Sequence, residues 1–170
     1  MSETLPQPTI QAAYAQELKH ELQLTRRLLE RVPTDRFDWA PHPKSMPIGK
    51  LATHMANLLT FVERSLQGPE TDMLTVAPPP ALSSTDDLLS RFDVNAASIQ
   101  QAVVQAADEA WQQPWVMRRG EQVIFNMPRR AVARVLVLNH LIHHRGQLSV
   151  YLRLLDIPVP SIYGPSADER

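Results

Sequence analysis

Three of the six histidines fall within five residues of one another: His140, His143 and His144. On an α-helix, at about 100° per residue, His140 and His144 stand about 40° apart and one turn apart along the axis. That spacing lets two imidazoles grip one ion, as in other helical metal sites. His143 lies about 60° from His140 and 100° from His144, so the three do not easily face one metal, and His140 with His143 is a competing pair. A third nitrogen can come from His54, which sits between Leu51 and Leu58 on the flank of an apolar stripe. Three neutral imidazoles leave a divalent ion its full charge and open coordination positions, the layout of a catalytic site rather than a closed structural one. An ion so held lowers the pKa of a bound water or thiol and presents it to an electrophile.

The chain has no cysteine. Disulfides, thiolate metal sites, iron–sulfur clusters and a cysteine nucleophile are therefore excluded, and the ligand set suits Zn²⁺, Ni²⁺ or Fe²⁺. The competing reading is a bundle whose histidines bind no metal, each bonded to backbone; three desolvated imidazoles without a metal would each lose pKa by burial. His20 and His42 read as solvated or supporting residues. Gln147 and Tyr151 follow His144 at +3 and +7 and share its face; with His143 they are the candidates for orienting a water or substrate, packing being the alternative for the first two. Asn57, three residues after His54, and Asn139 are candidates for orienting a ligand imidazole. Trp39, Trp111 and Trp115 read as core or interface anchors. There is no G-x-S-x-G, G-x-G-x-x-G or P-loop pattern, and no pair of Glu-x-x-His motifs of the di-iron type.

Prolines dictate which elements position these residues. All 15 fall outside four windows, 9–32, 48–68, 81–113 and 129–157. Proline inside a helix costs about 3 kcal/mol, so helices survive between prolines. In the first window Ile10, Tyr14, Leu18, Leu22, Leu29 and Val32 recur at near-helical steps. Ile48, Leu51, Met55, Leu58, Val62 and Leu66 do so in the second, with Pro47 suited to the first turn. In the third, Leu88, Phe92, Ala96, Ile99 and Val103 align behind candidate N-caps Ser83, Ser84 and Thr85. The fourth is apolar nearly all round, from Val132 to Leu155, which marks a central helix or one that also makes a subunit contact. Arg129 and Arg130 sit unfavourably at its start. Trp115–Met117 and Val123–Phe125 flank a Gly120 turn and read as a small hairpin lying on the helices. The expectation is an all-α, antiparallel four-helix bundle with a long 67–84 crossover and a small β-hairpin insertion, its site built between facing helices.

Bulk properties narrow the class. With 170 residues, one domain over 1–170 is expected at about 150 residues per domain. The 17 Lys+Arg nearly balance 18 Asp+Glu, so no basic field favours nucleic acid. The N-terminal MSETLPQPTI lacks the basic and apolar segments of a secretory signal, and no apolar run approaches the ~20 residues that span a bilayer. A cytoplasmic protein with no membrane or nucleic-acid partner is expected.

The stretch NHLIHHRGQLSVYLRLLDIPVPSIYGPSADE resembles the C-terminal signature of the DinB/YfiT-like family, and WAPHPKSMPIGKLATHMANL resembles that family's segment around its first metal histidine. The resemblance implies a four-helix bundle with a three-histidine divalent metal site, its ligands falling on His54, His140 and His144, with His143 at the neighbouring non-ligand position. It also implies a homodimer. Some relatives are metal-dependent thiol S-transferases, thiol-linked isomerases or hydrolases. The function expected from it is a metal-dependent enzyme of thiol S-transferase or hydrolase type, its small-molecule substrate a thiol or an electrophile. The alternative is a non-catalytic metal- or ligand-binding or stress-response protein.

Overall fold

The structure, a computed structural model, describes residues 9–169. Each proline-free window yields helix. The first gives α1 (Ile10–Leu29), opened by Thr9, whose hydroxyl accepts the Ala12 N–H. The second gives α2 (Ile48–Leu58) and α3 (Thr60–Gln67), one rod hitched at Leu59, which itself keeps helical dihedrals. Pro47 sits just ahead of that first turn rather than within it. The Thr60 hydroxyl donates to the Asn57 carbonyl at the hitch. Gly49 lets the loop before α2 close down: a Cβ there would lie 2.7 Å from the Phe37 ring, and the Gly49 N–H donates to the Phe37 carbonyl.

The third window gives α4 (Thr85–Gln105). Ser84 is the cap, accepting the Asp87 N–H at 3.1 Å. The helix stops short of its window, because Ala106 turns extended and a 3₁₀ turn over Asp108–Gln112 swings Trp111 into the core against Tyr14. The fourth window is divided into α5 (Arg129–Ala131), a π-helical turn over Val132–Asn139, and α6 (His140–Leu154). The expected clash of Arg129 with the helix start is resolved by tertiary contact. Its guanidinium reaches the carbonyls of Ala110 and of Gly68, the residue that caps the C-terminal end of α3.

The helices run up, down, down, up. Gln11 bonds Val104 and Arg26 bonds Asp93, so α1 and α4 are antiparallel; Tyr14 meets Ala133 and Glu21 meets Arg145, so α1 and α6 are parallel. The rod α2–α3 packs between α4 and the fourth helix. It runs parallel to α4, which is why the chain needs a long crossover between them. That crossover also supplies an element the sequence reading lacked. β1 (Glu70–Asp72) pairs parallel to β2 (Pro114–Arg119), which pairs antiparallel with β3 (Gln122–Pro128) through a turn with Gly120 at φ 60°. The expected hairpin is thus two strands of a three-stranded sheet. Trp115 and Met117 face inward onto Val132 as a small satellite core.

The main core follows the predicted stripes, buried from Tyr14 through Leu152 along all four helices, whereas Ile10 at the start of α1 and Val135 of the fourth helix are exposed. Among the described residues no helix is long and apolar enough to cross a membrane.

Candidate metal centre

His54 comes from the middle of α2, His140 and His144 from the first two turns of α6. Antiparallel packing of α2 on α6 brings them together, and one nitrogen from each lies within 4.8 Å of the others. The Nε2 atoms of His54 and His140 are 3.4 Å apart, those of His140 and His144 2.8 Å. Two nitrogens each about 2.0–2.1 Å from one ion lie roughly 3–3.5 Å from each other, so the spacing suits a shared cation.

The outer ring nitrogen of His144 sets its tautomer. His144 Nδ1 lies 2.7 Å from Gln147 Oε1 and donates to it. The Leu136 carbonyl faces the His140 ring and offsets part of the lowering of its pKa. In the π-helical turn before it, the His140 backbone N–H goes to Val137. With His144 Nδ1 donating to Gln147, His144 Nε2 turns its lone pair toward His140 Nε2 at 2.8 Å. Three imidazole nitrogens gathered this closely make a donor set that fits a divalent ion. Burial first, then the neighbouring His144 and His140, lowers the His54 pKa to about 4; burial and His144 also lower that of His140. Those shifts keep the two imidazoles neutral, the state that binds metal.

The remaining sequence candidates are placed as follows. His143 is exposed, its ring 5.1 Å from that of His144 and outside the three-histidine group, so the close pair is 140 with 144 rather than 140 with 143. Gln147 holds His144 through its carbonyl oxygen, whereas its +3 spacing predicts contact with a water or substrate, or packing. Tyr151 is half-buried, edge-on to Trp39 at 5.8 Å. Asn57 does not bond a ligand imidazole; its carbonyl accepts from Arg91 at 3.5 Å. Asn139, His20 and His42 are exposed. The Leu136 carbonyl could not have been found from residue types, since a backbone group carries no sequence signature.

A cleft of about 270 Å³ opens beside His54. Leu58 and Phe61 of the α2–α3 rod form one wall, and Met73, Val76 and Pro79 of the crossover form the other. Among the described residues no acidic side chain lines it.

The family model described as "DinB family" matches residues 1–170. Among curated proteins, the uncharacterized protein YrdA of Bacillus subtilis (strain 168) is 24% identical over 152 residues, 88% of this chain and 85% of its own length. Two solved structures share the fold. A DinB-like protein from Bacillus cereus ATCC 10987 matches with TM-score 0.69 at 19% identity, over 88% of this chain and 95% of that one. The DinB-like YjoA of Bacillus subtilis matches with TM-score 0.70 at 16% identity, over 93% and 99%.

Proposed function

Since the chain belongs to the DinB family, we propose that it is a metal-dependent enzyme of thiol-transferring or hydrolytic type, with His54, His140 and His144 as the ligands of Zn²⁺, Ni²⁺ or Fe²⁺. The observation that carries this is the convergence of three imidazoles, with His54 Nε2 and His144 Nε2 at 3.4 and 2.8 Å from His140 Nε2 and His144 fixed by Gln147 on the far side of its ring. A divalent ion there supplies Lewis acidity, making a water or thiol nucleophilic near neutral pH. Gln147 holds the His144 imidazole in position, and an apolar cleft wall flanks His54. His143 and Tyr151 remain the candidates for orienting a bound water or thiol. A thiol co-substrate suits a reducing compartment, hence the cytoplasm.

Metal analysis tests the ligands. Wild-type protein is expected to carry about one divalent ion per chain and His140→Ala to lose it; a variant that keeps full stoichiometry removes His140 from the set. Turnover is then compared between metal-loaded and stripped protein across thiols, electrophiles and esters. The cleft's lack of a carboxylate base favours a second reading, a metal-containing binding or stress-response protein without turnover. Ligand-dependent melting shifts with no catalysis would select it.

A homodimer belongs to the same proposal. Val135, Val150 and Leu154 leave apolar surface on the fourth helix, each about half exposed or more. Light scattering at micromolar concentration is expected to give twice the 19.2 kDa chain mass; a monomeric mass rejects the dimer.

A further inference from the structure

Among the described residues the cleft beside His54 has one formally charged side chain in its lining, Arg64 of α3. Arg64 is half-buried and, among the described residues, makes no ion pair or hydrogen bond. Its neighbours explain why. Glu70 and Asp72, which share a second, polar hollow with Arg64, are both taken by Arg118, at 2.9 and 2.5 Å. Glu63 accepts from Gln67. A half-buried guanidinium with five donors and no protein acceptor is a recognition site for a planar oxyanion.

Position defines the ligand further. Arg64 lies ten residues after His54 on a nearly continuous helical rod, about 15 Å along the axis at 1.5 Å per residue, and its side chain leans back toward the N-terminal end. Phe61, Met73 and Val76 line the space between. The volume of about 270 Å³ is that of a small metabolite rather than a peptide.

We propose that this cleft binds an organic carboxylate: the carboxylate is paired with Arg64, an apolar chain lies against Phe61 and Met73, and the opposite end is directed to the three-histidine group. The proposal deepens the enzymatic reading and rests on it for the identity of that reacting end. The carboxylate contact itself does not need a metal, so the two can fail separately.

The probes are chosen to separate them. Zinc-loaded protein is titrated calorimetrically with 6-mercaptohexanoate and with 6-mercaptohexan-1-ol, which share the thiol and the chain length. Metal-stripped protein is titrated by NMR with hexanoate and hexan-1-ol, which removes zinc as a rival partner for the carboxylate. The carboxylate is expected to bind roughly tenfold more tightly in both pairs, as suits a charge-assisted bidentate contact. Arg64→Gln is expected to bring both ratios close to one without changing zinc content. A preference below about threefold for hexanoate, or one that survives in Arg64→Gln, overturns the proposal, threefold being the scale of a solvent-exposed ion pair. Failure to take up zinc would remove the enzymatic reading, and the hexanoate pair would then decide this one alone.

Discussion

His54 shows how a single residue's surroundings become a measurable property. Burial, and the charges His144 and His140 would carry, hold its pKa at about 4, whereas an unfolded chain would titrate it near 6.5. As pH falls from about 6.5 towards 4, the unfolded chain takes up a proton that the native fold refuses, so folding stability falls across that window and levels off below it. Metal-stripped protein is therefore expected to melt at progressively lower temperature from pH 6.5 to 4. Because His140 is shifted in the same direction, His54→Gln should reduce this slope rather than abolish it. A melting temperature flat over that range would show that the cluster is not desolvated as described. Gln147 illustrates the other side of residue-scale reasoning: its spacing put it on the correct face, but only the tertiary structure assigns its carbonyl to the His144 ring.

At the scale of elements, two devices set the height and rotation of the ligand-bearing helices. Gly49 seats the first turn of α2 on Phe37, one and a half turns before His54. Gly49→Ala would push a Cβ to 2.7 Å from the ring, an overpacking that costs about 1–3 kcal/mol. Chemical denaturation is expected to report that loss, and the added change Phe37→Leu to recover part of it; an unchanged midpoint in Gly49→Ala would mean the loop simply moves aside. On the opposite helix, the π-helical turn over Val132–Asn139 widens the backbone just ahead of His140, whose N–H goes to Val137. π-helical turns often occur at functional sites for this reason. The proline windows located both helices, but neither device follows from proline positions, since one depends on a loop side chain and the other on a slip in hydrogen-bond register.

At the scale of the molecule, a buried ion pair joins the ends of the chain. Arg145, beside His144 in the sequence, donates to Glu21 at 2.6 Å, and the Tyr163 hydroxyl donates to the same Glu21 oxygen at 2.8 Å. Both charged side chains are more than nine-tenths buried. The contact ties α1, α6 and the C-terminal segment into one unit and fixes the face that α6 turns inward. Removing one partner strands the other charge. Glu21→Ala is expected to cost roughly 3–5 kcal/mol, whereas the paired replacement Glu21→Leu with Arg145→Met should be near neutral. Urea unfolding distinguishes these outcomes, and a Glu21→Ala protein within about 0.5 kcal/mol of wild type would deny the pair any structural role.

Prolines and apolar spacing determined the four helices, their order, the hairpin and which histidines could share a helix face, because steric exclusion and the 3.6-residue period act locally along the chain. Arg129 looked misplaced for the same reason, its acceptor lying in another element. The distances among His54, His140 and His144, the third strand, the Glu21–Arg145 pair and the unpaired Arg64 beside the cleft were decided only by the tertiary structure. Each depends on the distance between atoms far apart in the chain, which is set by how the helices pack and in which direction they run, and local spacing does not encode that distance.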